Sequence, residues 1–166
     1  MEGNLIPPYT YSHFSFAKAP TNSSNYYYPN FANYSNYDQP LAHPDGANLY
    51  ELIGVARYQP LPKLRFTGKI IYTLIGLDKN NLDYGSNILL NYNNRVNEYG
   101  NYIGQGDKTD ILYASLTTTY MFYHNLFADL TLIHRNQVSQ SGNNNLSENI
   151  ISFGLRMNIA QRTNEY

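Results

Sequence analysis

Between Leu49 and Ala160 the chain contains five segments in which apolar and polar residues alternate, joined in turn by a very short turn, a long polar loop, a second very short turn and a polar loop. Gln59-Pro60-Leu61-Pro62-Lys63 and Tyr123-His124-Asn125-Leu126 read as the tight turns, and residues 78 to 108 and 137 to 148 as the loops. Successive side chains of a strand point to opposite faces, so each segment can be split into two sets. In 64 to 77 the even positions are Leu64, Phe66, Gly68, Ile70, Tyr72, Leu74 and Gly76, against Arg65, Thr67, Lys69, Ile71 and Thr73. In 110 to 123, Leu112, Ala114, Leu116, Tyr120 and Phe122 oppose Tyr113, Ser115, Thr117 and Thr119.

The remaining segments repeat this division. Leu126, Ala128, Leu130 and Leu132 oppose Asp129, Thr131 and Arg135, with Phe127 and Ile133 as interruptions. Ile151, Phe153, Leu155, Met157 and Ile159 oppose Ser152, Gly154, Arg156 and Asn158. The segment 49 to 59 is less regular, with Tyr50, Leu52, Ala56 and Tyr58 on one side and Glu51, Ile53, Val55, Arg57 and Gln59 on the other.

Short turns on one rim and long loops on the other, joined by strands of about ten residues, are the pattern of an outer-membrane β-barrel. Alternation alone would also suit a soluble β-sandwich. Three features favour the membrane. Aromatic residues (Tyr50 and Tyr58, Phe66 and Tyr72, Tyr120 and Phe122) lie near strand ends on the apolar face, where interfacial girdles belong. Lys69, Asp129 and Arg156 sit at mid-strand on the polar face, costly in a dry core and ordinary in a wet lumen. A sandwich has no reason to keep one of its ends short.

Residues 8 to 17 supply one further candidate strand, and residues 18 to 48, rich in Asn, Tyr, Ser and Pro, read as a long loop on the same rim as those at 78 to 108 and 137 to 148. The expected fold class is therefore all-β, an antiparallel up-and-down transmembrane β-barrel portion of about six strands. Single-chain barrels of this class start at eight strands, because an open edge in lipid leaves backbone groups unpaired. Met1 to Pro8 also lacks a basic start followed by an apolar stretch. Both observations lead to the expectation that residues 1 to 166 are the C-terminal portion of a longer barrel, located in the outer membrane.

Composition narrows the function further. Charged residues are 14% and hydrophobic residues 42% of the chain, and the formal net charge of −1 gives no support for nucleic-acid binding. No apolar run approaches the roughly 18 residues of a membrane-spanning helix. Cysteine is absent, which excludes disulfides and thiolate metal sites. His13, His43, His124 and His134 show no close pairing at metal-ligand spacing, and His43-Pro44-Asp45-Gly46 reads as turn chemistry. Ser12-His13 and the scattered acids form no nucleophile and base arrangement. Gly104-Gln105-Gly106 is too short for a phosphate loop. The chain is expected to be non-enzymatic, with no cofactor and no metal.

Two residue sets remain. Glu51, Arg57, Arg65, Lys69, Asp129, Arg135 and Arg156 fall on the polar face and read as a solvated, partly ion-paired lumen wall, or as a solute pathway. In the loop at 18 to 48, Tyr26, Tyr27, Tyr28, Asn33, Tyr34, Asn36 and Tyr37 read as a glycan or partner surface, since aromatic faces stack on sugar rings while amides supply hydrogen bonds. The bland reading is that these loops fold over the barrel mouth, with tyrosines packed on one another.

Three phrases, Pro8-Tyr9-Thr10-Tyr11-Ser12-His13, the run from Tyr37 to Asn48, and Tyr58-Gln59-Pro60-Leu61-Pro62, resemble the C-terminal region of Bacteroidota outer-membrane proteins of the capsule-assembly Wzi-like or gliding-motility RemB-like kind. Gly104-Gln105-Gly106, His124-Asn125-Leu126-Phe127 and the run from Leu155 to Ala160 fit the same resemblance. It implies a barrel of about eighteen strands associated with surface polysaccharide or with a motility and secretion apparatus. Outer-membrane lipid, surface polysaccharide, other outer-membrane or periplasmic proteins and the remaining strands of the same barrel are the partners this implies. A diffusion channel or transporter for small solutes is the second function class left open.

Overall fold

A computed structural model describes residues 1 to 13, 33 to 37, 39 to 80, 82 to 90 and 92 to 158. Within them lie strands β1 (Glu2–Ile6), β2 (Ser35–Asn36), β3 (Gln39–Pro40), β4 (Leu49–Leu61), β5 (Leu64–Leu77), β6 (Asp107–Tyr123), β7 (Leu126–Ser139) and β8 (Leu146–Met157), with one 3-10 turn at Tyr92–Asn94. The fold is all-β. Six strands form one antiparallel sheet in the order β1-β4-β5-β6-β7-β8, and β2 pairs with β3 as a separate small hairpin. The large sheet is not closed: β1 and β8 are its two edges.

Register aligns the faces that alternation assigned. Tyr58, Phe66, Thr118, Leu130 and Phe153 form one cross-strand row, and Ala56, Gly68, Leu116, Leu132 and Ile151 the next. On the opposite face Arg57, Thr67, Thr117, Thr131 and Ser152 form a row. A one-residue slip anywhere would have mixed these sets, because the side-chain period is two. Both interruptions of the polar face also find partners there: Ile133 lies opposite Ile150, and the Phe127 ring carries the Arg156 guanidinium 4.7 Å above its centre.

Both tight turns form. Pro62-Lys63 joins β4 to β5, and His124-Asn125 joins β6 to β7 with Asn125 at φ 67°, a conformation Asn tolerates better than most residues. The opposite rim carries the connections 7 to 48, 78 to 106 and 140 to 145.

Several boundaries differ from the sequence expectation, each for a physical reason. The first strand is Glu2–Ile6, not 8 to 17; residues 8 to 11 turn, and 14 to 17 lie outside the described residues. Pro7 and Pro8 have no N–H to continue a ladder, and Tyr9 at φ 60° breaks the extended path. The polar loop expected at 137 to 148 shrinks to six residues, because Arg135, Asn136 and Gln137 pair with Glu148, Ser147 and Leu146. A backbone ladder needs no apolar side chains, so it continues where the alternation has faded. The loop at 78 to 108 likewise ends at Gly106, and β8 ends at Met157, with Ile159 and Ala160 outside the described residues.

The apolar core is small and lies at the long-connection end of the sheet, where Ile6, Ala47, Leu49, Ile75 and Ile88 pack together, flanked by Tyr11, Leu77 and Ile111. Ile6, Leu49 and Ile75 belong to the face that carries the charged residues, so the connection 78 to 106, through Ile88, covers that face at this end. Along β6 the outer set Leu112, Leu116, Tyr120 and Phe122 is exposed, whereas Thr109 and Thr119 of the other set are buried.

Candidate functional site

The ladder places all seven charged residues expected together, Glu51, Arg57, Arg65, Lys69, Asp129, Arg135 and Arg156, on a single face. Five are cations and two are carboxylates. Thr119 Oγ1 donates to Asp129 Oδ1 at 2.6 Å, and Arg156 Nε donates to Asp129 Oδ2 at 3.2 Å. Arg156 is thus held by charge on one side and by the Phe127 ring on the other, a cation–π placement. Arg135 donates to Gln137 Oε1 at 3.3 Å. Arg57, Arg65 and Lys69 are exposed on the neighbouring strands. Glu2, Asp107 and Glu148 lie on the same face by register, so its cations and carboxylates balance.

Glu51 differs from the rest because it is buried at the covered end. Asn4 Nδ2 donates to its Oε1 at 3.1 Å, Thr73 Oγ1 lies 3.4 Å from Oε2, and His43 Nε2 lies 3.2 Å from Oε1. Sequence spacing did not join His43 to Glu51. The connection is made by the chain reversal before β4, where Gly46 N donates to His43 O and Asn48 adopts φ 59°.

Among the loop residues, Tyr26, Tyr27 and Tyr28 lie outside the described residues. Asn33 is buried and its amide donates to the carbonyls of Ile88 and Leu90, while its Oδ1 accepts the His13 N–H. It is a strut tying the first long connection to the second. Asn36 and Tyr37 form the exposed tip of the β2–β3 hairpin, with Tyr37 at φ 47°. Tyr34 is half exposed and stacks on Tyr11, ring centres 6.1 Å apart. Two further tyrosines, Tyr99 and Tyr102 of the connection 78 to 106, are exposed on the same rim of the sheet. Their position in a polar stretch with Asn97, Asn101 and Gly100 carries the same compositional signal as the first loop.

Tyrosine packing also holds the rim down. Tyr9 meets Tyr92 edge to face at 5.7 Å, its hydroxyl donates to Asp83 O at 2.6 Å, and its N–H donates to Gly85 O at 3.1 Å. Burial pushes the Tyr9 hydroxyl up to about 12, with the Asp83 carboxylate adding to the effect. Asp83 is itself buried: its Oδ1 accepts the Gly85 N–H at 2.7 Å, and its Oδ2 has no hydrogen-bond partner among the described residues. Desolvation raises its carboxyl to about 6 despite the Gly85 N–H, and Asp78 contributes in the same direction.

Comparison with protein-family models, with characterised proteins and with solved structures gave no match to this chain.

Proposed function

We propose that this chain is part of an outer-membrane β-barrel that acts without catalysis at the cell surface, in assembling or anchoring surface polysaccharide or within a motility and secretion apparatus. The observation that carries the barrel reading is the exposed apolar face at the centre of the sheet, on β6 and β7. Leu112, Leu116, Tyr120 and Phe122 on β6 and Leu130 and Leu132 on β7 share one face and are all exposed, while Thr109 and Thr119 on the other face of β6 are buried; the apolar face continues through Ile151, Phe153 and Leu155 on β8, an edge strand exposed on both sides. In water such a continuous apolar face would be unfavourable by about 25 cal/mol per Å². In lipid it is the correct solvent-facing surface.

The rim asymmetry supports the same orientation: two-residue turns at one end and the tyrosine-bearing connections at the other. The role at the cell surface rests on the exposed tyrosines of the long rim and on the resemblance to the capsule-assembly and gliding-motility proteins. A diffusion channel is the second reading, favoured by the cations Arg57, Arg65, Lys69, Arg135 and Arg156 on one face. Covering of that face by Ile88 and its connection weighs against a wide opening at the loop end.

The absence of native cysteine makes the test clean. With single Asn144→Cys and Pro62→Cys variants expressed in cells, a membrane-impermeant maleimide should label the first on intact cells and the second only after permeabilisation. Equal labelling of both on intact cells would overturn the orientation, and recovery of the protein from the soluble fraction would overturn the barrel. Planar-bilayer recording separates the two functions: an open channel conducts, a covered one does not.

A further inference from the structure

We propose that His43, Asp45 and Glu51 form a binding site for one divalent transition-metal cation of the zinc class. Each of the three offers one ligand atom, and these atoms lie within 4.8 Å of one another. His43 Nε2 and Glu51 Oε1 are 3.2 Å apart. Two donors on a tetrahedral ion at about 2.0–2.2 Å are separated by roughly 3.4 Å, so this pair already has the spacing that a shared ion requires. Asp45 lies on the exposed turn, within 4.8 Å of the other two donors, where a change of side-chain rotamer brings its carboxylate into the same shell.

The support around the donors is unequal in a useful way. Glu51 stands on β4 and is fixed by Asn4 and Thr73, while His43 and Asp45 come from the turn closed by the Gly46 N–H to His43 carbonyl bond. A rigid strand donor facing two turn donors lets the ion draw the turn onto the sheet. A cavity of about 630 Å³ opens beside them, lined by Glu2, Asn4, Tyr11, His43 and Glu51 among others, with room for water to complete the coordination. Among the described residues, no Lys or Arg lines that cavity. The carboxylates of Glu51 and Glu2 thus meet no Lys or Arg there among the described residues, and a bound divalent ion supplies the missing positive charge.

Ligand chemistry selects the metal class. One imidazole nitrogen with two carboxylates suits zinc and its first-row neighbours, whereas Ca²⁺ takes six to eight oxygens and Mg²⁺ keeps most of its water. Asp45 N–H lies 3.3 Å from His43 Nδ1, which places the ring proton on Nε2, directed at Glu51. Metal binding at Nε2 moves that proton to Nδ1 and gives up this long contact.

The site makes no use of the membrane assignment and is tested separately. Zn²⁺ is titrated calorimetrically into the detergent-solubilised full chain, with Mg²⁺ and Ca²⁺ as comparison ions. The expected result is saturable binding of one Zn²⁺ per chain, weakened by more than about tenfold in each of His43→Ala and Asp45→Asn and unchanged in His124→Ala. Glu51 is left intact because its loss would disturb the buried contacts to Asn4 and Thr73. Should His43→Ala fail to fold, Asp45→Asn alone decides. Absence of saturable Zn²⁺ binding, or binding equally strong in both variants, would overturn the proposal and leave His43 and Glu51 as a simple hydrogen-bonded pair.

Discussion

Asn48 and Gly76 hold each other reciprocally: the Asn48 carboxamide donates to the Gly76 carbonyl at 2.7 Å, and the Gly76 N–H donates to the Asn48 carbonyl at 3.0 Å. The same buried carboxamide donates to Gln105 O at 2.9 Å and accepts the Gly104 N–H at 2.8 Å. One side chain therefore fastens the entry to β4, the exit of β5 and the end of the connection 78 to 106. A Cβ at Gly76 would lie 2.1 Å from Gln105 O and 2.4 Å from Asn48 Nδ2, which explains why glycine occupies that position.

The first expected outcome concerns this clamp. Asn48→Ala should destabilise the chain by about 1–3 kcal/mol through the buried groups it leaves unpaired, with roughly 1 kcal/mol more for an alanine at φ 59°. Asn48→Gly should recover the conformational part only. Chemical denaturation in detergent, with all three proteins side by side, checks the order. Equal stability of the alanine and glycine variants would refute the backbone contribution.

An arginine scan tests the two faces. Leu116→Arg or Ile151→Arg should cost roughly 2–4 kcal/mol in a bilayer, because both sit in the central row of the apolar face. Thr117→Arg and Ser152→Arg, one residue away on the polar face, should be tolerated far better. Folding into lipid vesicles followed by denaturant titration reads the difference, and equal tolerance on the two faces would sink the lipid-facing assignment.

The pH dependence of the loop rim has a definite sign. Asp83 is raised from 3.8 to about 6 by burial, so in the folded chain it holds its proton at pH values where the unfolded chain has released it. Its contribution to stability is therefore fully present below 3.8 and lost as pH rises through about 6. Asp78 is raised for the same reason and acts in the same direction. Asp83→Asn, which keeps an oxygen acceptor for the Gly85 N–H, should flatten this dependence and resist unfolding better above pH 6 than the parent chain. Proteolysis of the connection 78 to 106 at pH 5 and pH 8 measures it.

Loop tyrosines carry the functional prediction. Serine in place of Tyr26, Tyr27, Tyr28, Tyr34 and Tyr37 should leave insertion intact, since Tyr34 and Tyr37 lie outside the six-stranded sheet and the other three belong to the same polar, proline-bearing stretch of sequence. Each lost stacking face should weaken glycan retention by about 0.5–1.5 kcal/mol, by analogy with aromatic pairs. Tyr99→Ser with Tyr102→Ser provides the independent set from the second connection. Wild-type glycan retention and partner recovery at equal surface abundance in both sets would turn the reading toward a passive cover.

The sequence by itself determined which residues share a face. Phe66, Leu116, Leu132 and Ile151 fall on one side, and Arg65, Lys69, Asp129 and Arg156 on the other, because alternation has a period of two that any regular ladder must obey. The two tight turns were legible for the same local reason. Tertiary structure alone decided what depends on contacts distant in the chain or on ladders without an apolar pattern. It drew the first strand from Glu2–Ile6 by pairing it with β4, and extended β7 and β8 through polar residues whose backbones bond regardless of side chain. It also set Asn48 at the centre of a buried clamp and brought His43 to Glu51, two relationships for which neither residue type nor spacing carries a signal, since both depend on where a left-handed turn returns the chain.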